Sequence, residues 1–358
     1  MTGSVLHVLG PSAGGIRRHV ATLADGLEQR GWQVAVAGPA GVMDGLRSGL
    51  VTVPVRTRPS VRGVRTLRAL AREVYVVHAH GLTAGWWAWF AGVGDRLVVT
   101  VHNLVLPEVS GRATPVLRRA EGLLPGRAAQ TIVISEEMRR RFDPKGSDRT
   151  ITLIPPVGPA PIVTRSTVEV RAELGLEPDA SLVVLVGRLH PQKDIGSLIS
   201  AVTSLPSSAQ VVVVGDGPER ERLADQIATL GLGGRVRLLG ERTDAADYLA
   251  AADVVVMCSI WEGFGLVVAE ALALGRPVVA TAVGPVPTMV VDGETGRLVP
   301  PSDPVALGAA INDLLTRPED AVAMGRAGAK LVVPHFDAPA LIARVEDVYD
   351  LVTKPVPL

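Results

Sequence analysis

The 358-residue chain has a single cysteine, Cys258, and only 3% of its residues are aromatic. One cysteine excludes an intrachain disulfide framework and a cysteine-built zinc site, and it fits a reducing compartment. Cys258 follows the apolar run 254–257, where it reads as a small core residue rather than a nucleophile. With so few aromatic rings, the interior falls to Val, Leu, Ile and Ala. No apolar stretch reaches the ~18–20 residues that a membrane-spanning helix needs. The nearest, 81–94, is shorter and broken by glycine. No basic head precedes the first apolar run, so a secretory leader is not expected and a cytoplasmic location is. No acidic run of a metal-binding kind is evident, nor any interleaving of aromatic and basic residues that would point to nucleic acid.

What is present is a chain long enough for two domains, with 47% apolar residues to fill two cores. The formal net charge is zero but unevenly spread: residues 1–163 carry +9 and residues 164–358 carry −9. Oppositely charged halves argue against one uniform globule, and the basic first half favours an anionic partner.

Val-rich runs alternate with helical patterns throughout, which predicts parallel sheets covered on both faces. In the first half a strand at 5–9 leads into the loop Gly10-Pro11-Ser12-Ala13-Gly14-Gly15 and a helix at 16–30. Further strands are expected at 34–37, 51–55, 74–79, 97–102, 131–135 and 151–154, with helices near 62–72, 83–91, 114–124 and 136–141. Four prolines within 155–161 cannot lie inside a sheet or helix and mark a linker, about 155–163. The alternation then resumes, with strands at 182–186, 211–215, 236–239, 254–258, 278–281 and 298–299. Helices are expected at 195–205, 220–230, 244–251, 266–274 and 305–315, and a last one in 338–352 with Leu341, Val345, Val348 and Val352 on one face. The expected organisation is a first domain at 1–161, a second at 164–337 and a closing helix at 338–358.

Candidate chemistry gathers at the carboxyl ends of predicted strands, where open parallel sheets bind ligands. Arg188 and Lys193 follow the strand 182–186 and together could neutralise a diphosphate, or could be two solvated surface cations. The segment Ser259–Glu270 is more informative. Gly263 and Gly265 let backbone approach a ligand, and the following helix aims its N–H groups into the same space, as an anion site requires. Glu262 and Glu270 would repel a diphosphate, so they suit the hydroxyls of a ribose or sugar ring. Gly14 and Gly15 open the first helix in the same manner. Gly215-Asp216-Gly217 is similar to a dinucleotide fingerprint, but Arg220 stands at the third glycine position, which ranks a dehydrogenase low. Among seven histidines, His102 ends a strand, as do His78 and His80, while His19 lies in the first helix. His78 and His80 hint at a metal, but no third ligand is evident, so no metal site is expected.

As an ordered set, Gly187-Arg188-Leu189 with Lys193, Val214-Gly215-Asp216-Gly217-Pro218, Glu262-Gly263-Phe264-Gly265 with Glu270, Gly275-Arg276-Pro277 and Asp292-Gly293-Glu294-Thr295-Gly296 resemble glycosyltransferase family four. These are retaining enzymes of the GT-B fold, and the resemblance covers nearly the whole chain. It implies an α/β architecture of two Rossmann-like doubly wound domains facing a cleft, with the C-terminal helix crossing back to the first. It implies a nucleotide-sugar (UDP- or GDP-linked) co-substrate, no cofactor, a hexosyl-type sugar and an acceptor hydroxyl on a lipid carrier, a polysaccharide or a small metabolite. Arg188 and Lys193 would hold the diphosphate. Glu270 would take the ribose, and Glu262 with the backbone of Gly263, Phe264, Gly265 and Leu266 the sugar. Gly15 and His102 would reach the donor from the first domain, with Gly14, His19 and His80 on the acceptor side. The sequence departs from the family at Pro285 and Thr288, where a glutamate is usual at the latter, and at Pro155-Pro156-Val157-Gly158. A sugar-nucleotide epimerase or a non-catalytic sugar-nucleotide binder would share this architecture.

A second feature of the first half is a basic stripe, Arg62, Arg65, Arg68 and Arg72, with Arg56 and Arg58 beside it and Trp86, Trp87 and Trp89 close in sequence. It reads either as an anionic-membrane contact or as a solvated face over packed tryptophans, and the second reading is preferred.

Overall fold

A computed structural model describes residues 3–11, 15–42, 46, 49–55, 59–105, 111–146, 148, 150–156 and 158–353. The chain divides into two compact units, Met1–Pro159 with Asp337–Leu358, and Ala160–Phe336. The described part of 155–163 carries no helix or strand, as four prolines dictate.

The first unit is built on a seven-stranded parallel sheet. Its strands are β1 (Ser4–Leu9), β2 (Gln33–Gly38), β3 (Gly49–Thr52), β4 (Val76–His80), β5 (Leu97–Val101), β6 (Gln130–Val133) and β7 (Ile151–Leu153). Their order is β3-β2-β1-β4-β5-β6-β7. The direction of winding reverses between β1 and β4, so their carboxyl ends form the switch point at which such sheets open a crevice. Helices α1 (Gly15–Gln29), α2 (Val61–Ala71), α3 (Leu82–Phe90), α4 (Thr114–Leu123) and α5 (Glu136–Phe142) connect the strands. Ser60 and Ser135 cap α2 and α5 by accepting from the third N–H of each helix.

The second unit has strands β8 (Ser181–Val186), β9 (Ala209–Val214), β10 (Val236–Gly240), β11 (Val254–Met257), β12 (Val278–Thr281) and β13 (Arg297–Val299). All pair in parallel in the order β10-β9-β8-β11-β12-β13, with the switch between β8 and β11. Its helices are α6 (Thr167–Glu173), α7 (Ile195–Ala201), α8 (Arg220–Thr229), α9 (Ala245–Ala251), α10 (Leu266–Ala273), α11 (Pro304–Thr316) and α12 (Pro318–Val332). Valines of β8, β9 and β11 point alternately into two buried clusters, one on each face of the sheet. That is why these strands read as continuous apolar runs rather than alternating ones.

The last helix, α13 (Ala338–Thr353), belongs to the first unit. Its apolar face, Leu341, Ile342, Val345, Val348 and Tyr349, joins Val5, Leu23, Leu27, Val76 and Val98 in one core. At its polar edge Glu346 accepts from Trp32 Nε1 at 2.8 Å and from Arg30 at 2.6 Å.

Three expectations change in detail. The strand expected at 51–55 begins earlier and ends at Thr52, in register with β2. Helix 195–205 ends at Ala201 and tightens into a 3-10 turn over Val202–Ser204. Two helices, α6 and α12, were not expected at all. The first starts at a capping box of Ser166 and Glu169, the second with Pro318 and two acidic residues in its first turn.

Candidate functional site

In the second unit, three loops meet at the carboxyl edge of β8, β9 and β11. The first runs from Gly187 to Lys193. It is pinned to the second by hydrogen bonds from Gly187 N to Val214 O (2.9 Å) and from Leu189 N to Asp216 O (2.9 Å). Gly215 makes this approach possible: it sits at φ +139°, and a Cβ there would lie 2.0 Å from Gly187 O. The third loop, Cys258 to Gly265, is tied to the first through Gln192. Gln192 accepts from Ile260 N at 2.9 Å and donates Nε2 to Trp261 O at 2.9 Å.

These ties bring two of the expected residues together. Lys193 Nζ donates to Glu262 Oε1, and the buried Ser259 hydroxyl donates to the same oxygen at 2.6 Å. Glu262 is 7% exposed and Lys193 is half-buried, so the pair lies in partly dehydrated surroundings where charge acts strongly. Arg188 is exposed at the head of the same loop. Arg188 and Lys193 both act on His190, whose pKa is lowered first by burial, then by Arg188, with Lys193 adding and Glu219 opposing. Two cations therefore share one neighbourhood.

Gly265 holds the turn into α10 at φ +85°, a left-handed conformation that suits glycine. No side chain caps the first turn of α10, whose N–H groups thus remain able to meet an anion. Gly263 and Gly265 are buried, whereas Phe264 and Leu266 are half-buried. Glu270, on the second turn, is only 8% exposed. A carboxylate is rarely buried to that extent without a purpose. Cys258 is buried and its thiol is pushed up to about 12 by burial, which keeps it unreactive. Sequence reasoning passed over Ser259, Gln192 and His190 because neutral or weakly titrating loop residues carry no signal until the loops are joined.

In the first unit, the expected residues His19, His80 and His102 converge with His7 and His78 at the β1/β4 switch point. The sequence shows no evident third ligand beside His78 and His80, and the fold brings further histidines next to them. His7, His78 and His80 bring three ring nitrogens within 4.8 Å of one another, and so do His19, His80 and His102. His7 was missed because it lies on β1, about 70 residues before His78, and only the sheet order sets β1 beside β4. His7 Nδ1 meets His80 Nε2 at 3.0 Å, and His80 Nδ1 meets His102 Nε2 at 3.1 Å. His78 is bound by Tyr349 Oη and Thr100 Oγ1, both at 2.7 Å. Gly15 is exposed at the start of α1, and Gly14 lies outside the described residues.

Burial drives all five imidazoles toward the neutral form, taking His7 to about 3 and His19 to about 4. Those folded values lie below the ~6.5 of an unfolded histidine, so protons favour the unfolded chain. The stability is fully present above pH ~6.5 and declines as pH falls toward 4, by up to about 1.4 kcal/mol per pH unit for each histidine. Urea midpoints measured from pH 7 to pH 4.5 should fall steeply, and a flat profile would show these rings to be solvated.

The basic stripe is only partly free. Arg62, Arg65 and Arg72 are exposed, but Arg68 donates to Ala91 O at 2.8 Å and Phe90 O at 3.2 Å, closing the C-terminus of α3. Trp87 is fully buried, while Trp86 and Trp89 are half-buried beside the exposed Phe90. Arg56 and Arg58 lie outside the described residues. Among the described residues no helix is long and apolar enough to cross a membrane.

Two doubly wound units with an anion-suited loop edge are the architecture of GT-B glycosyltransferases, and the comparisons agree. The model for glycosyl transferases group 1 matches residues 167–331, and that for Glycosyltransferase Family 4 matches residues 13–157. A D-inositol 3-phosphate glycosyltransferase of Xylanimonas cellulosilytica is 31% identical, covering 89% of this chain and 82% of that protein. One of Mycobacteroides abscessus is 33% identical over 83% of this chain and 70% of that protein. Among solved structures, Anabaena HepE in complex with UDP and glucose superposes with a TM-score of 0.86 at 23% identity, covering 96% of this chain and 98% of that one. The chain belongs to glycosyltransferase family four; it is a glycosyltransferase with the GT-B fold.

Proposed function

We propose that the chain moves a hexosyl residue from a UDP- or GDP-sugar to an acceptor hydroxyl with retention at C1 and without a metal ion in the transfer step. The observation that carries this reading is the group formed by Arg188, Lys193, Glu262 and the uncapped start of α10 at the β8/β11 edge. As the C1–O bond breaks, negative charge grows on the departing diphosphate. Two cations and a helix N-terminus are placed to stabilise it, which is the work a divalent ion would otherwise do. Lys193 is held by Glu262 in the free protein, so donor binding must redirect it: the ammonium turns to the phosphate while Glu262 takes sugar hydroxyls. Gly263, Phe264, Gly265 and Leu266 supply backbone at the sugar and phosphate, and Glu270 the ribose. On the first unit the proposal assigns Gly15 and His102 to the donor and Gly14, His19 and His80 to the acceptor side. The leaving phosphate serves as base for same-face attack, so no carboxylate nucleophile is needed.

The relatives named above carry a phosphorylated polyol in their names, and the first unit is the basic half of the chain. D-inositol 3-phosphate is therefore the acceptor to try first. The test is NDP release with UDP- and GDP-sugars, with and without this acceptor, and an NMR reading of the anomeric configuration of the product. Acceptor-dependent release with retention supports the proposal. Release without any acceptor, or epimerised sugar nucleotide as the product, would favour the other readings. Contact of α2 and α3 with an anionic membrane is a secondary proposal. Absence of flotation with anionic vesicles removes it.

A further inference from the structure

The five histidines at the β1/β4 switch point ask for an explanation beyond packing. A neutral imidazole carries one donor and one acceptor, and a buried one left unpaired costs about 1–3 kcal/mol. His7 Nε2 and His19 Nδ1 are both buried and have no hydrogen-bond partner among the described residues. The two rings are 0% and 7% exposed, so solvent does not compensate them.

We infer that His19, His80 and His102 form a site for a divalent transition-metal ion, with zinc the best match. The geometry supports this independently of any reaction. With a zinc–nitrogen bond of about 2.1 Å and a ring radius of about 1.1 Å, three tetrahedral imidazole ligands have centroids about 5.2 Å apart. The observed separations are 5.3 Å for His19–His102, 5.4 Å for His80–His102 and 5.9 Å for His19–His80. Tetrahedral ligand nitrogens stand about 3.4 Å apart, so His80 Nδ1 and His102 Nε2 need to part by only about 0.3 Å. They now stand 3.1 Å apart.

The surroundings suit a metal as well. Burial keeps the lone pairs unprotonated at neutral pH. Ligation through Nδ1 fixes the remaining proton of His80 on Nε2, from which it donates to His7 Nδ1 at 3.0 Å. That is the outer hydrogen bond that orients metal-bound imidazoles, and it makes His7 a positioning residue. An all-imidazole ligand set selects zinc, cobalt, nickel or copper over magnesium or calcium, which want oxygen. The other triad fits less well. Both nitrogens of His78 are engaged by Tyr349 and Thr100, and its ring lies 4.2 Å from that of His80, too close for two ligands of one ion.

Three protein ligands leave the fourth position of a tetrahedral ion to water. The ion has no part in the diphosphate's departure, which the proposal above gives to the second unit.

Cobalt(II) tests this directly, because tetrahedral cobalt absorbs visible light and octahedral cobalt in water barely does. The untagged full-length chain is titrated with cobalt chloride at pH 7.5, then with zinc chloride. One equivalent is expected to give a strong band in the visible, bleached by one equivalent of zinc. His19→Gln and His80→Gln should each reduce the band at least tenfold, and His78→Gln should keep it. Circular dichroism confirms that each variant is folded, and a variant that is not is replaced by His102→Gln. No tetrahedral band in the native chain overturns the inference, as does a band lost in His78→Gln but kept in His19→Gln. Neither readout involves glycosyl transfer, so the result stands apart from the fate of the proposed function.

Discussion

Lys193→Ala is expected to lower kcat by about 100- to 1,000-fold, the usual loss when one preorganised electrostatic donor is removed. The reason is double. The ammonium that would meet the leaving phosphate is gone, and Glu262, its partner in the free protein, is left as a largely buried carboxylate beside an anionic ligand. The variant should bind free NDP at least tenfold more weakly. Glu262→Gln should behave differently, keeping most of the NDP affinity, because the ammonium remains, and losing the extra affinity contributed by the sugar. The two titrations separate a phosphate-binding lysine from one that merely anchors its loop. If Lys193→Ala turned over at near the native rate, the diphosphate would have to lie elsewhere.

A second large effect is expected where the chain enters the second unit. Asp247 on α9 is 1% exposed and accepts from Thr164 N at 2.7 Å, Thr164 Oγ1 at 2.8 Å and Arg165 Nε at 3.1 Å. Burial pushes its carboxyl up, but the hydrogen bonds from Thr164 and Arg165 outweigh burial and hold it below the usual range. Asp247→Ala leaves Thr164 N and Oγ1 without their acceptor, while Arg165 keeps Glu173 and Asp244 as partners. Leaving such buried donors unpaired costs about 1–3 kcal/mol each. Denaturant unfolding should register that loss in the second unit, with the first unit unaffected. The sign of the pH dependence follows. With a folded pKa below the unfolded carboxylate value of ~3.9, the contribution is present above that value and lost as pH falls through the lower folded one. An Asp247→Ala variant as stable as the native chain would mean that Thr164 finds other acceptors.

Much of this was legible in the residues themselves. The Val-rich runs foretold buried parallel strands, because a strand covered on both faces needs apolar side chains on both. Gly263 and Gly265 pointed to a loop whose backbone a ligand could approach, and the structure adds that Glu262 beside them is buried. The helix α12 was overlooked although Pro318, Glu319 and Asp320 spell its start, because its apolar face is narrow and rich in alanine and glycine. α6 was overlooked because it is short, and only its capping box marks it. The histidine group was illegible for a different reason. His7 on β1 and His19 on α1 lie far in sequence from His80, at the end of β4, and from His102, just past β5. The winding of the sheet, with β1 beside β4 and β4 beside β5, draws them together. Spacing along a chain reports ligand pairs on one element, and it is silent about ligands contributed across strands.

The loops after β8 and β11 are proposed to hold the diphosphate of a nucleotide sugar. Calorimetric titration of UDP-glucose and of GDP-mannose into the native chain and into the Arg188→Ala, Lys193→Ala double variant tests it most directly. The account predicts that at least one donor binds the native chain and that the double variant weakens it by at least a hundredfold while remaining folded. Equal affinity in both proteins would contradict it.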